Sequence, residues 1–481
     1  MHWRAITRLF GLLLLLYSLS FLPSLGVALL YEDGQSQVFL DAFMTTAALG
    51  LSLWLTNRHC QNELSIRDGF LAVALFWVIL GVVGALPFVL GLHLALTDAI
   101  FESISGFTTT GATIITELDR LPPSILYHRQ QTQWLGGIGV IVLAVAVLPL
   151  LGVGGMQLYR AETSGVAKHE KPTPRIRETA RALWSLYVGL TAACTLCFWL
   201  AGMSAFDAIG HAFSTISTGG FSTHDASIGY YDSPLIEAVA IVFMLAGGIN
   251  FTVHFAAFHH LDIRYYARDP ETRDFVLIFL GGALFIAASL YWANTYADAW
   301  SALRHGSFQV ASILTSTGFG TATFGTWPLH IPLALVILSF VGGCGGSTAG
   351  GIKVLRVMLL IKLGIRQLFQ FNHPHAVLGV KIGPRAVSED VLLSVWGFYV
   401  LYVAICLLLT LAMMAAGLDL ESAFGAAFTT VNLCGPGLGE VAVNFATVDD
   451  VVKWLGIFGM LAGRLEVFTL MILFTPSFWR H

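Results

Sequence analysis

The chain has 481 residues, of which 56% are hydrophobic and 11% are charged, whereas roughly a quarter of the residues in an ordinary soluble domain are charged. This composition excludes an ordinary soluble enzyme. The formal net charge is −4, and without a long basic run this charge also argues against nucleic acid as a partner.

Apolar runs long enough to cross a bilayer begin near the N-terminus. A transmembrane helix needs about 20 mostly apolar residues, and residues 9–30 and 38–56 form two such runs separated by a short turn. Because the first run is longer than the core of a secretory signal and a second follows directly, we interpret it as an uncleaved span. Further runs, at residues 182–200 and 391–416 for example, predict a multi-pass all-α protein of about 10 spans in a lipid bilayer.

The basic residues predict the orientation of the chain. Most Lys and Arg residues fall near residues 57–68, 152–181, 258–274 and 353–390, and basic residues in short loops stay on the cytoplasmic side. We therefore expect both termini in the cytoplasm and an outer face rich in carboxylates, which attracts cations. Acidic outer loops can also arise from the orientation rule alone, so this pattern leaves the function open.

A pattern of about a hundred residues occurs four times in the chain. In each copy, an apolar stretch too short to span the membrane leads into a segment rich in Thr, Ser and Gly, and the aligned glycines are Gly111, Gly220, Gly318 and Gly435. Two full spans separate consecutive copies, so the copies are parallel and the short stretches enter from the outer face as re-entrant pore helices. Because extended backbone at membrane depth must be buried or line a water-filled cavity, we predict four span–pore helix–loop–span repeats around one central pore.

The repeats define the expected domain organisation. An additional two-span unit comes first, followed by four pore repeats, and the boundaries are 1–66 for the unit and 67–159, 160–262, 263–372 and 373–481 for the repeats.

The residues around the four glycines have the chemistry of an ion filter. A dehydrated K⁺ needs surrounding oxygens, and backbone carbonyls from four loops supply them without a fixed charge, while glycine allows the positive φ that such a loop requires. The candidate filter residues are Thr109, Thr110, Gly111, Thr218, Gly219, Gly220, Ser316, Thr317, Gly318, Leu433, Cys434 and Gly435. Small residues also allow close helix packing in membranes, but four aligned copies favour the filter.

A second candidate region, the glycine-rich segment (residues 342–353), interrupts the second span of repeat 3. Each glycine in a helix costs about 1 kcal/mol relative to alanine, so we predict irregular backbone here. Gly345 and Ser347 also suggest the nucleophile turn of a serine hydrolase, but Ala349 occupies the position of the last glycine of that motif.

The sequence resembles the TrkH/TrkG/KtrB group of the superfamily of K⁺ transporters over essentially its whole length. The resemblance rests on the two leading spans, the four repeats, and the loops Ser-Thr-Gly-Gly-Phe (217–221) and Thr-Ser-Thr-Gly-Phe (315–319). It implies K⁺ uptake by symport across the bacterial cytoplasmic (inner) membrane, with K⁺ as the transported ion and no enzymatic activity or bound organic cofactor. It also implies a homodimer with one pore per protomer, and a TrkA-like cytoplasmic nucleotide-binding regulatory subunit that docks on the basic inner face.

The resemblance further implies that the glycine-rich segment is a gating loop below the filter, with Arg464 beside it. The gating residues are then Gly343, Gly345, Gly346, Ser347, Thr348, Gly350, Lys353 and Arg464. A charge such as Arg464 within a span is costly unless it faces water or a partner, and a pair with Glu466 or with a backbone carbonyl is the alternative to a role in gating.

The fourth loop, Asn-Leu-Cys-Gly-Pro (432–436), lacks the Thr-rich pattern of the others. We therefore expect a departure from strict fourfold symmetry. A poorly selective or Na⁺-permeable cation transporter stays open as an alternative, and so does an organic-solute secondary transporter, although four breaks in the chain fit that class less well.

Overall fold

The computed structural model describes residues 1–60, 65–142, 173–376, 378–383 and 385–480. The N-terminal unit consists of the helices Trp3–Ser18, Phe21–Tyr31 and Ser36–Asn57. The first and third pack backbone against backbone, because a Cβ atom added to Gly11 or to Gly50 would lie 2.9 Å from the carbonyl oxygen of the other. Small residues provide such close packing where lipid supplies no hydrophobic driving force.

Each of the four repeats contains a first span, a short pore helix and a second span. The first spans are Ile66–Gly84 continued by Leu86–Leu92, then Thr173–Leu200, Pro270–Trp292 and Glu389–Ala415. Pore helices 1 to 4 are Leu96–Phe107, Ala205–Ile216, Ala299–Leu314 and Leu420–Asn432. The second spans are Pro123–Val142, Pro234–Gly248 with Phe251–His260, His330–Val341 with Val354–Asn372, and Asp450–Arg464 with Phe468–Met471. Short helices at Arg264–Arg268 and Pro476–Trp479 and a hairpin of Lys381–Ile382 with Arg385–Ala386 complete the α-helices and β-strands described.

The second spans of repeats 2, 3 and 4 are irregular. Those of repeats 2 and 4 bend by 101° and 111° at short breaks, and that of repeat 3 is interrupted by the glycine-rich segment. Six of the described helices are long and apolar enough to cross a membrane, or up to eight if each bent pair is one span. The prediction of an all-α, multi-pass membrane protein with re-entrant pore helices is confirmed. The eight do not include the interrupted second span of repeat 3 or the second span of repeat 1, which is described only to Val142. The expected boundary between repeats 1 and 2, at residues 159 and 160, lies outside the described residues.

Two hydrophobic clusters place the four pore helices at the centre of the protein. One cluster joins the N-terminal unit to repeats 1 and 4 and includes Phe101 and Val431 of pore helices 1 and 4. The other joins repeats 2 and 3 and includes Ile216 and Leu314, together with Cys434 from repeat 4. The clusters therefore meet around the loops that follow the pore helices.

Side-chain caps start pore helices 2, 3 and 4. Ser204 accepts a hydrogen bond from the Asp207 N–H, and Asp298 accepts one from the Ser301 N–H. Asp419 does the same for the first turn of pore helix 4. Such caps satisfy backbone donors that have no partner within the helix, and they fix where each re-entrant segment begins.

Candidate functional site

All four pore helices end in the same turn. The residue that follows the last helical turn has a positive φ of 53–58°, and the next backbone N–H donates to a carbonyl five residues earlier, as in a Schellman motif. The left-handed residues are Thr109, Thr218, Ser316 and Leu433. The hydrogen bonds join Thr110 to Ser105 (2.9 Å), Gly219 to Ser214 (2.8 Å), Thr317 to Ser312 (2.8 Å) and Cys434 to Thr429 (3.0 Å). The fourth loop thus keeps the backbone turn of the other three, and the expected departure from symmetry is found in its side chains.

The four loops close a ring. Gly111, Gly220, Gly318 and Gly435 have φ values of +80°, +80°, +83° and +89°, which glycine adopts without strain. Each glycine faces the carbonyl oxygen of the residue that precedes the corresponding glycine of the next repeat. A Cβ atom would overlap the oxygen of Gly219, Thr317 and Cys434 for the first three glycines, and it would lie 3.0 Å from that of Thr110 for Gly435. The structure therefore brings all twelve candidate filter residues together, in the cyclic order of the repeats.

A glutamine from repeat 1 supports the loop of repeat 2. Gln133 Nε2 donates to the Gly219 carbonyl (2.6 Å), and Gln133 Oε1 accepts from the Phe221 N–H (3.0 Å). The side chain thus holds the backbone on both sides of Gly220. Gln133 is not among the residues predicted from the sequence, although the run of polar residues at 128–133 within the second span of repeat 1 was a signal for it. All six side chains of this run are buried in the structure.

The glycine-rich segment lies against the filter loops where they leave the pore helices. Thr348 contacts loop 2, because its hydroxyl lies 3.3 Å from Thr218 Oγ1 and donates to the Ile216 carbonyl (3.0 Å). The Gly350 N–H donates to Ser316 Oγ of loop 3 (2.5 Å). A Cβ atom on Gly350 would overlap the carbonyl of Asn432, which begins loop 4. The segment therefore contacts filter loops 2, 3 and 4 on the side where the pore helices end.

Arg464 connects this segment to loop 1. One guanidinium nitrogen donates to the Thr348 carbonyl (3.0 Å) and another donates to Thr109 Oγ1 (2.9 Å). The guanidinium lies 5.6 Å from the centre of the Trp77 ring. From the sequence, either Glu466 or a backbone carbonyl could be the partner of Arg464. The structure shows the carbonyl, whereas Glu466 forms an ion pair with Arg356 (2.6 Å).

The remaining gating candidates are held within the segment itself or by its neighbours. Ser347 Oγ donates to the Cys344 carbonyl (2.6 Å) rather than to a histidine or carboxylate, so the contacts of Ser347 give no support to a serine hydrolase. The carbonyls of Gly343 and Gly346 accept from the N–H groups of Val354 (2.9 Å) and Phe251 (3.2 Å). Lys353 is buried, has a positive φ of 82°, and donates from Nζ to the Ala349 carbonyl.

Glu271 anchors both ends of the segment. Its Oε1 accepts from the N–H groups of Gly345 (2.7 Å) and Leu355 (3.1 Å), and the side chain is buried. Sequence analysis missed Glu271 because it stands in the first turn of a span, where an acidic residue has an ordinary helix-terminal role. Only the folded chain brings it beside residues more than seventy positions away.

A polar cluster joins the segments that follow filter loops 1 and 2 to the start of pore helix 2. The His224 ring lies 2.5 Å from Asp119 and 3.7 Å from Asp207, and it stacks on Tyr230 with 3.6 Å between ring centres. Burial lowers the pKa of His224, but hydrogen bonds to Asp207 and Asp119 outweigh it, so the pKa is raised. The hydrogen bond from His224 in turn lowers the pKa of Asp119.

Comparison with known proteins identifies the family. The family model TrkH, described as cation transport protein, matches residues 35–481. The chain belongs to the TrkH family. Trk system potassium uptake protein TrkH is 52% identical in Salmonella typhimurium and 51% identical in Escherichia coli, and each match covers the whole of both chains. The crystal structure of the potassium transporter TrkH from Vibrio parahaemolyticus matches with a TM-score of 0.93 at 48% identity, again over the whole of both chains.

This membership confirms the resemblance on which the sequence analysis relied. It also confirms a transport protein rather than an enzyme, in a family described as cation transport proteins. The apolar spans and the family together make the chain a multi-pass membrane protein.

Proposed function

We propose that this protein takes up K⁺ across the bacterial cytoplasmic membrane, with the ring of four glycine loops as its selectivity filter. The observation that carries the proposal is the closed ring, in which four equivalent turns place each glycine against a carbonyl of the next repeat. Rings of backbone carbonyls replace the water around a K⁺ ion. The potassium uptake named for the bacterial relatives supports the same conclusion.

The membrane potential is a sufficient source of energy. At roughly −150 mV it supplies about 3.5 kcal/mol per monovalent cation, enough for about 300-fold accumulation. The chain therefore needs no catalytic site for uptake. Symport with a second cation, which the resemblance implies, is a further prediction.

Gating by the glycine-rich segment is the second part of the proposal. The segment blocks the pathway below the filter, and Arg464 ties it to loop 1 and adds a positive charge that opposes the passage of a cation. The segment continues directly into the helix Val354–Asn372, which carries Lys362 and Arg366 of the basic face that the sequence predicts to be cytoplasmic. A TrkA-like nucleotide-binding subunit bound to this side of a homodimer, with both termini in the cytoplasm, would move that helix and withdraw the segment.

Ion flux through the purified protein in liposomes tests the filter. We expect K⁺ and Rb⁺ to pass in preference to Na⁺, and Gly220→Ser and Gly435→Ser to lose this discrimination, because a side chain at either position meets the next loop. Gly189→Ser is the matched control, since no atom of the described residues lies within 4 Å of a Cβ at that position. If the purified protein alone shows no ion flux, the measurement is repeated with the regulatory subunit added. Continued silence, or equal passage of Na⁺ by the intact chain, would contradict the proposal.

One observation favours a poorly selective pathway as the second candidate. Leu433 occupies the position of Thr109, Thr218 and Ser316 in the fourth loop and supplies no hydroxyl at the inner end of the filter. The same flux experiment decides between the two. A K⁺ to Na⁺ ratio near one in the intact protein that rises in Leu433→Thr would support this candidate.

A further inference from the structure

In three of the four repeats, the same position of the pore helix supports the strand that leaves the filter. It lies nine residues before the filter glycine and is occupied by Glu102, His211, Gln309 and Ala426 in repeats 1 to 4. In the first three repeats the side chain reaches the backbone or side chain of residues just beyond the glycine. Glu102 Oε2 accepts from the Ile114 N–H (3.0 Å), His211 Nε2 lies 2.9 Å from Ser222 Oγ, and Gln309 Nε2 donates to the Ala322 carbonyl (2.8 Å). Ala426 has no polar group for this purpose.

Repeat 1 has the strongest of these supports, because Glu102 forms an ion pair with Arg129. Arg129 Nε and Nη2 each lie 2.8 Å from Glu102 Oε1, and both side chains are almost completely buried. Thr113 completes the group: its hydroxyl donates to Glu102 (3.0 Å) and accepts from Arg129 Nη2 (3.1 Å). The ion pair thus holds two consecutive residues, Thr113 and Ile114, just beyond Gly111.

Arg129 extends this support to the second loop. Its Nη1 donates to the Ser222 carbonyl (3.2 Å), and its guanidinium lies 4.2 Å from the centre of the Phe221 ring. His211 holds the hydroxyl of the same Ser222. Since His211 Nδ1 faces the Asp207 carbonyl (2.8 Å), which can only accept, Nε2 is the acceptor for that hydroxyl. Residues directly beyond Gly220 are therefore fixed both to their own pore helix and to repeat 1.

We propose that Glu102 and Arg129 are positioning residues for ion selection, because they hold the outer strands of filter loops 1 and 2 at a fixed separation. This inference rests on the proposed filter function. A smaller ion such as Na⁺ is bound well only if the carbonyl ring contracts, and buried charge-assisted hydrogen bonds oppose such a movement. The ring is then stiff on the side of repeats 1 and 2 and more compliant at repeat 4, where Ala426 supplies no support.

Selectivity measured on matched variants tests this role. Glu102→Gln removes the charge while keeping the shape. Thr113→Val removes the hydroxyl that joins the strand to Glu102 and Arg129, but it leaves the ion pair and the hydrogen bond from the Ile114 N–H in place. We expect the K⁺ to Na⁺ flux ratio in liposomes to fall about five- to tenfold in Glu102→Gln, and less in Thr113→Val, since hydrogen bonds to charged groups are the stronger ones. The control is Glu237→Gln, which removes the buried carboxylate of an ion pair with the partly exposed Arg304 (2.7 Å); within the described residues this pair contacts no filter strand. We expect this control to keep the ratio of the intact protein.

The outcomes separate a positioning role from a merely structural one. Loss of a structural ion pair would lower the unfolding temperature and the amount of folded protein but leave the ratio unchanged. Unchanged discrimination in folded Glu102→Gln, or in Thr113→Val if Glu102→Gln does not fold, would overturn the proposal, and so would an equal loss in Glu237→Gln. Gly220→Ser, measured in parallel, distinguishes the two hypotheses: if it loses discrimination while Glu102→Gln does not, the filter stands and only the positioning role fails.

Discussion

Replacement of Arg464 by glutamine should release the glycine-rich segment from the filter and increase ion flux. The guanidinium makes two hydrogen bonds, one to the Thr348 carbonyl (3.0 Å) and one to Thr109 Oγ1 (2.9 Å), from a buried position. Hydrogen bonds to charged groups contribute about 1.5–3 kcal/mol each, and the cost of burying the charge offsets part of that sum. If the net loss of stabilisation is about 2 kcal/mol, the fraction of molecules in which the segment has moved away from the filter loops increases about 30-fold. Removal of the charge also reduces the repulsion of a passing cation.

The assay is Rb⁺ uptake into liposomes at equal protein content, in the absence of any regulatory subunit. Arg464→Lys is the matched variant, since it keeps the charge but cannot reproduce the planar arrangement of donors. If the hydrogen bonds dominate, both variants should conduct more than the intact protein, and if the charge dominates, only Arg464→Gln should. The K⁺ to Na⁺ ratio should change little, because the ring of glycines is not altered. Unchanged or reduced flux in an Arg464→Gln protein that elutes and unfolds like the intact one would refute this account of the gate.

Three further predictions concern other parts of the structure. His224 has a raised pKa in the folded protein, so its contribution to stability is complete below about pH 6.5 and is lost as the pH rises through the folded pKa. The unfolding temperature of the intact protein should therefore fall over this pH range more than that of His224→Gln. Equal pH profiles of the two unfolding temperatures would contradict the assignment. Gly50→Ala should destabilise the N-terminal unit by about 1–3 kcal/mol, because the added Cβ meets the backbone of the facing helix. The control is Gly26→Ala, whose Cβ has no atom of the described residues within 4 Å. This control should leave the unfolding temperature in detergent unchanged. Glu271→Gln should weaken the attachment of the glycine-rich segment by about 1–2 kcal/mol. In a protein whose other cysteines are replaced by alanine, this substitution should increase the rate of thiol labelling at the buried Cys344 about 5- to 30-fold. An unchanged labelling rate would show that Glu271 does not hold the segment.

The sequence by itself determined the spans, the four repeats and the glycines of the filter. Each of these depends on local chemistry: a bilayer requires about 20 apolar residues per helix, and a positive φ in a tight turn selects for glycine. The same reasoning located the glycine-rich segment, because glycines in such number are incompatible with a stable helix. The turn at Leu433 shows its limit, since the fourth loop adopts the backbone of the others with a different sequence.

Only the tertiary structure decided which polar side chains meet around those glycines. Arg464 contacts Thr109, which is 355 positions away in the sequence. Glu466 forms an ion pair with Arg356 rather than with Arg464, two positions away. The sequence shows Glu102 and Arg129 as charged residues of repeat 1. It does not show that they pair, or that Arg129 also donates to the backbone of repeat 2 at Ser222. The physical reason is that spacing along one helix predicts which face a residue occupies, whereas contacts between repeats depend on how whole helices pack around the pore.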